Sequence, residues 1–320
     1  MSTGLDSVYF VISLVATLYA ASLFADRLDH LGERFGLPEA LLGLLTAAAA
    51  DAPELASAIT AVATGAKGVG LGVVVGSNVF NLGAMLGLSA VVTGCVRLRP
   101  QTLALEGGVA LGVTGVISLL GFGVLPAWAA LGLSLAVVAP YAAVVVLSRH
   151  EDAFVEALGE PHRAHPPHGR ALWEPLLLIP VAVTAIVFGS IGMVHWALRL
   201  GHSAGLPNVL VGTLLLAVLT SLPNAYTGVR LGRAGRGSAL VSETMNSNTI
   251  NLVGGIAVPA LVVGFGARFS NLVAGDLVWL VVATAAAIAL LARPAGMRRA
   301  GGALLVASWI AFAAVQGIFG

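Results

Sequence analysis

The chain has 320 residues, 58% of them hydrophobic and only 10% charged, with a formal net charge of +1. A soluble domain carries about a quarter charged residues, so too little polar surface is present to cover a water-exposed globule, and a lipid bilayer is the expected surroundings. The near-zero net charge points to neither nucleic acid nor a polyanionic partner, and the single cysteine, Cys95, rules out an intrachain disulfide.

In chain order, the first apolar run covers 5–25 and has no basic residue ahead of it. It lacks the charged start of a secretory signal peptide. About 20 apolar residues suffice to cross the hydrocarbon core, so the run reads as a permanent membrane helix. Further apolar stretches at 37–64, 69–94, 101–121, 124–147, 173–197, 206–230, 238–264, 273–292 and 301–319 bring the predicted spans to ten. Spans two, three, seven and eight are rich in Gly, Pro, Ser and Asn, and the other six are plainer Leu/Val/Ala helices. The longest polar stretch, 148–172, holds His150, His162, His165 and His168, four acids and three prolines. The histidine spacing fits no tight zinc pattern, so the stretch reads as a solvated linker.

Lysine and arginine set orientation, because they accumulate in cytoplasmic loops. The loops after spans one, three, five, seven and nine hold 2, 2, 3, 3 and 3 basic residues, 13 in all, against 3 in the remaining loops (Lys67, Arg199 and Arg268). This asymmetry predicts a multi-pass protein of the plasma (cell) membrane with both termini outside and the 148–172 loop in the cytoplasm.

The two halves repeat. Gly36-Leu37-Pro38 recurs as Gly205-Leu206-Pro207. At an offset of 170 residues, Pro53 recurs as Pro223, Gly65 as Gly235, Ser77-Asn78 and Asn81 as Ser247-Asn248 and Asn251, and Glu106 as Asp276. Each half has five spans, an odd number, so the second half enters from the opposite side. The predicted fold is all-α and polytopic: ten transmembrane helices in two inverted five-helix repeats, 1–147 and 173–320, joined by a cytoplasmic linker over 148–172. Inverted repeats mark secondary transporters, whose sites lie near the midplane on interrupted helices.

Polar residues at bilayer depth are costly and mark function by default. Asp51-Ala-Pro-Glu54 lies in the middle of span two. Proline removes a backbone donor and clashes with the preceding turn, so the helix is expected to break there and free carbonyls near Ala50. Carbonyls and two carboxylates suit a hard cation. Span three adds Ser77, Asn78 and Asn81, with Ser77 and Asn81 four apart on one helix face. In the second half Thr220-Ser-Leu-Pro-Asn224 is expected to break span seven in the same way, and span eight adds Ser247, Asn248 and Asn251. Glu243, one turn before Ser247, is expected toward the inner mouth. Glu106 and Asp276 are expected to act at the interface, near Arg97, Arg99 or Arg268. Ser57 and Thr227 divide evenly between ion contact and knitting helices together.

These motifs resemble the calcium/cation antiporter superfamily, which includes the sodium/calcium exchangers. Its signature is close to Gly-Thr-Ser-x-Pro-Glu followed by Gly-Ser-Asn-x-x-Asn, once in each half. Pro53-Glu54 with Gly76-Ser77-Asn78-Val-Phe-Asn81 matches the first copy, and Thr220-Ser221-Leu222-Pro223 with Ser247-Asn248-Thr-Ile-Asn251 the second. The resemblance implies cation coordination by Glu54, Ser77, Asn81, Thr220, Ser221, Ser247 and Asn251. Three positions depart from it: the second signature glutamate is Asn224, the first Thr-Ser pair is Ala50-Asp51, and a position that is often Asp is Asn251. Both acids therefore fall in one repeat. Residues and resemblance together give the predicted cation-binding set Asp51, Glu54, Ser77, Asn78, Asn81, Thr220, Ser221, Asn224, Ser247, Asn248 and Asn251.

The expected function is antiport of calcium or a similar hard cation against sodium or protons by alternating access, with no cofactor and with inorganic cations and lipid as partners. Two carboxylates this close disfavour double ionisation without a cation, so a cation/proton exchanger of altered selectivity is the alternative, and a channel-like or transport-inactive relative a further one. An intramembrane aspartyl protease fits poorly, because its two acids must face each other across helices and Asn224 stands at the second position.

Overall fold

A computed structural model describes residues 3–34, 48–147 and 173–319. The 148–172 linker with its histidines, the Gly36-Leu37-Pro38 copy and the first part of predicted span two lie outside the described residues.

The helices are α1 (Thr3–Arg34), α2 (Ala52–Ala63), α3 (Lys67–Thr93), α4 (Pro100–Gly121), α5 (Ala127–Leu147), α6 (Trp173–Ser203), α7 (Asn208–Arg233), α8 (Gly237–Val263), α9 (Asn271–Leu291) and α10 (Arg299–Phe319). Eight are long and apolar enough to cross a membrane; α2 and the stretch Ala127–Ala143 of α5 are apolar but shorter. Boundaries follow local chemistry. Pro100 opens α4, where a missing N–H costs nothing, and the Ser270 hydroxyl accepts from Val273 N at 3.3 Å to cap α9. Gly65 and Gly235, the repeated glycines, take φ of 88° and 74° just after α2 and α7. Only glycine adopts that conformation without strain, which is why both copies keep it.

Two departures from straight α-helix fall at matching positions. Wider π turns run over Asn81–Gly87 in α3, starting on the last residue of its Ser-Asn-x-x-Asn motif, and over Val253–Ala257 in α8, two residues beyond its motif. A third covers Val211–Leu216 in α7. There α3 and α7 cross almost backbone to backbone: a Cβ on Gly72 would stand 2.7 Å from Val209 O, and one on Gly212 2.3 Å from Val69 O. Small residues permit such approach where no hydrophobic force between helices exists.

The expected break of α7 at Pro223 is not found. The helix runs unbroken over Ala217–Arg233. Thr220 Oγ1 donates to Leu216 O at 2.9 Å and Ala217 O at 3.3 Å, and the π turn just before it takes up the irregularity. Hydroxyl back-bonding and local widening are the usual means of tolerating an intramembrane proline. In the first half a turn at Asp51 does separate helical residues 48–50 from α2.

Helix α3 is buried over most of its length, with α2, α7, α8 and α10 packed around it. Helix α9 packs against both α3 and α4, α5 packs on α4, and α1 and α6 form a long antiparallel pair. Arg27–Glu174 (3.2 Å) ties one end of that pair and Arg199–Asp6 (3.3 Å) the other. The junctions after α3 and α9 pair as two short strands, β1 (Cys95–Val96) and β2 (Met297–Arg298), antiparallel. Gly237, at the α7–α8 junction, packs on Arg97 O at the same end. At the other end Lys67 Nζ donates to Gly264 O at 2.6 Å and Phe269 N to Gly121 O at 2.9 Å. The described junctions from α2 to α5 and from α7 to α10 thus alternate between two ends, as a chain crossing a layer with each helix requires.

Candidate functional site: a buried pair of carboxylates between the two halves

The turn at Asp51 and the first turn of α2 present Asp51 and Glu54 inward, 1% and 0% exposed. Facing them are side chains of the other half. Ser221 Oγ donates to Glu54 Oε1 (2.9 Å) and Ser247 Oγ to Asp51 Oδ1 (2.6 Å). Asn224 Nδ2 reaches both carboxylates, Asp51 Oδ1 at 3.0 Å and Glu54 Oε1 at 3.3 Å. Asn81 Nδ2 extends the network to Ser247 Oγ (3.0 Å) and Asn248 Oδ1 (3.3 Å). Asn78 Nδ2 donates to Asn248 O at 3.0 Å while Asn248 Nδ2 donates to Asn78 O at 3.2 Å. That exchange joins two residues 170 apart in sequence, so the repeated positions meet each other at the centre of the molecule.

Eight of the eleven predicted residues share this network: Asp51, Glu54, Asn78, Asn81, Ser221, Asn224, Ser247 and Asn248. Ser77 and Thr220 are equally buried but give their hydroxyl protons to carbonyls of their own helices, Val73 O at 2.7 Å and Leu216 O at 2.9 Å. Asn251 is fully buried, and neither atom of its amide has a partner. Ser57 donates to Pro53 O at 2.5 Å and so ties its own helix together.

The oxygens left over define what the site can hold. Asp51 Oδ2, Glu54 Oε2, Asn78 Oδ1, Asn81 Oδ1 and Asn251 Oδ1 are all buried and have no hydrogen-bond partner among the described residues. A buried polar atom left unpaired costs about 1–3 kcal/mol, so each of the five gains from a guest that satisfies it. These five atoms are acceptors, two of them carboxylate oxygens, against one unpartnered donor, Asn251 Nδ2, so the balance favours a positive guest. Oxygen ligands, two of them carboxylates, match a hard cation such as calcium or sodium and lack the His or Cys nitrogen and sulfur that zinc prefers.

The acids at the second repeated position sit differently from expectation. Glu106 (2% exposed) and Asp276 (5%) are buried in helix packing rather than set against arginines. Ser242 Oγ donates to Glu106 Oε1 at 2.6 Å, and Gln316 Nε2 donates to Asp276 Oδ1. Near the first of these, Asn246 Nδ2 donates to Tyr141 Oη at 2.9 Å. Sequence reasoning missed Ser242, Tyr141, Asn246 and Gln316. The available signal was a glutamine in the final turn of the last span, which needs a partner wherever it is buried. Glu243 is half-buried, within electrostatic reach of Asp51, Arg230 and Arg236.

Fold and site define an integral, multi-pass helical membrane protein with an occluded, doubly acidic, oxygen-lined centre. The sodium/calcium exchanger protein family matches residues 6–149 and 174–318, and the chain belongs to that family, within the calcium/cation antiporter superfamily. Sodium/potassium/calcium exchanger 2 of Mus musculus is 34% identical over 89 residues, 28% of this chain and 13% of that protein. Sodium/potassium/calcium exchanger 4 of Homo sapiens is 31% identical over 101 residues, 29% of this chain and 16% of that protein. The similarity thus spans under a fifth of either relative's length. Among solved structures, native YfkE aligns with a TM-score of 0.71 at 17% identity, over 100% of this chain and 94% of that one. The sodium-calcium exchanger NCX_Mj aligns at 0.65 and 20% identity, over 98% and 99%. At such identities the likeness shows the fold alone.

Proposed function

We propose that the chain is a secondary antiporter that exchanges calcium or a similar hard cation for sodium or protons by alternating access. The observation that carries this reading is the set of buried oxygens without partners around Asp51 and Glu54, held in place by neutral donors from the opposite half. The named relatives are exchangers of sodium, potassium and calcium, which supports the same class of cargo.

The proposal includes ten membrane spans arranged as inverted halves, 1–147 and 173–320, about the 148–172 linker. Alternation of the junctions between two ends and the reciprocal Asn78–Asn248 pair support it. With the basic junctions inside, the linker is cytoplasmic and both termini lie outside the plasma membrane. The proposed cation ligands are Asp51, Glu54, Asn78, Asn81 and Asn251, steadied by Ser221, Asn224, Ser247 and Asn248; Ser77 and Thr220 line the same helices.

The α1/α6 pair is the proposed moving part. It meets α2 partly through a small cluster, Ala20, Ala21 and Ile186 with Phe24, Ala52 and Ala56, and joins the main core through Phe10, Met193, Val194 and Ala197. Most of the residues in the small cluster are alanines, whose faces have little relief to interlock. Proton coupling is favoured by Asn224, which brings Asp51 and Glu54 onto a single nitrogen. Carboxylates that close readily share a proton when no cation is bound. The test is flux into liposomes holding purified protein with Glu54→Gln. Loss of exchange by a folded variant is expected; near-normal exchange would remove Glu54 from the site.

A further inference from the structure

We infer that Glu243 is a transit ligand outside the central site: its carboxylate holds a calcium or sodium ion on the way between the arginine-rich end of the molecule and Asp51. No described residue does the same at the opposite end, so the two faces differ in how they take up cations. The inference rests on the antiporter reading above and extends it beyond the centre.

Helix α8 starts at the end where the arginine-rich junctions lie, with Gly237 against Arg97 O. Residues four apart share a helix face, so Glu243, Ser247 and Asn251 form one polar line along it. Asn251 is fully buried, and both atoms of its amide lack a partner among the described residues. Ser247 donates to Asp51 Oδ1 at 2.6 Å. Glu243 comes one turn earlier, about 6 Å nearer the basic end at the helical rise. It is half-buried and lies within electrostatic reach of Asp51. Glu243 is thus the member of the line that solvent reaches, while Asp51 and Glu54 are closed off behind it.

The repeat shows what the opposite end lacks. Val73, Ser77 and Asn81 of α3 stand 170 residues before Glu243, Ser247 and Asn251. Two of the three keep their polar character, but Val73 is apolar and fully buried in the core. The acids described toward that end are engaged: Asp6 pairs with Arg199, and Asp276 accepts from Gln316 Nε2. Among the described residues the close ion pairs are Arg27–Glu174 and Arg199–Asp6, and Glu243 belongs to neither. Arg230 and Arg236 are near enough to act on its charge, so they compete with a cation for it. A ligand on a transit route must attract an ion yet let it go. A carboxylate opposed by arginines meets both demands, where an unopposed one would retain the ion.

The experiment uses the full chain in membrane vesicles of both orientations. Ala292→Cys, at an exposed position of the basic end, in a Cys95→Ser background, reports through an impermeant maleimide which end faces out. Calcium counter-flux is then measured over a range of calcium concentrations at each face. Charge lining a mouth raises the local concentration of counter-ions. Glu243→Gln is therefore expected to raise half-saturating calcium about 3- to 10-fold at the basic face, with the maximal rate within about twofold and the opposite face within about 1.5-fold. Glu243→Asp keeps the charge and is expected to stay within about twofold of wild type. Arg230→Gln, at an exposed position, removes a competitor and is expected to lower half-saturation at the basic face about two- to threefold. Shifts of opposite sign from the two neighbours follow from charge and not from disturbed packing. Unchanged half-saturation in Glu243→Gln, an equal shift at both faces, or an equal shift in Glu243→Asp would overturn the inference and leave the antiporter reading standing. If Glu243→Gln does not fold, Arg230→Gln decides: unchanged half-saturation there overturns the inference. Absence of saturable counter-flux in the wild-type chain would instead overturn the antiporter reading, and the inference with it.

Discussion

At the residue scale, buried groups with an oxygen left unpartnered among the described residues differ from groups whose hydrogen bonds are met within their own helix. Glu54 offers a free oxygen to the centre, whereas Ser57 spends its hydroxyl on Pro53 O. Glu54→Gln is therefore expected to lower calcium counter-flux by on the order of 100-fold, because a charge, and not only a hydrogen bond, is removed from a buried site. Ser57→Ala is expected to keep flux within about twofold and to cost about 1 kcal/mol of stability, the usual worth of one such bond; isotope uptake and thermal unfolding in detergent check both. The sequence marks Asp51, Glu54 and the Ser-Asn-x-x-Asn motifs plainly, since polar residues in apolar spans stand out. It does not show that Glu106 turns to Ser242 and Asp276 to Gln316, because those partners lie 136 and 40 residues away. Reasoning from the nearest arginines along the chain paired them wrongly.

At the element scale, backbone proximity between α3 and α7 holds the site's two halves in register. Gly212→Ala would place a methyl 2.3 Å from Val69 O and 3.0 Å from Val73 N. Backbone atoms cannot turn aside as a side chain can, so a loss of about 1–3 kcal/mol is expected, as for overpacking elsewhere. Gly132→Ala, in α5 with nothing within 4 Å, should be neutral or slightly stabilising. Comparable melting temperatures for the two variants would contradict this account of the crossing. Helix positions were legible in the sequence because Gly, Pro and charged breaks punctuate the apolar runs. The unbroken course of α7 through Pro223 was not. The cost of a proline is local, but its relief by Thr220 and by the wider turn at Val211–Leu216 depends on how the whole helix packs.

At the scale of the whole molecule, the repeat is a pair of similar scaffolds around a centre whose charge comes from one copy. Ser77/Ser247, Asn78/Asn248 and Gly65/Gly235 recur, while Asp51 and Glu54 face Ser221 and Asn224. If the α1/α6 pair slides on this core, fastening it to the core should stop transport, and fastening its members to each other should not. With Cys95→Ser as background, cysteines at Ala21 and Ala56 joined by a short bifunctional reagent are expected to abolish flux. Cysteines at Ser13 and Gly192, where a Gly192 Cβ would lie 3.2 Å from Ser13 Cβ, are expected to leave flux largely intact. Equal inhibition by both cross-links would contradict a mobile pair. The most direct measurement of the central claim is counter-flux by the purified wild-type chain in liposomes, set beside Glu54→Gln protein of the same fold and amount. The account predicts saturable calcium uptake that requires an opposing sodium or proton gradient and vanishes in the variant. Uptake that persists without any opposing gradient, or that survives in Glu54→Gln, would contradict it.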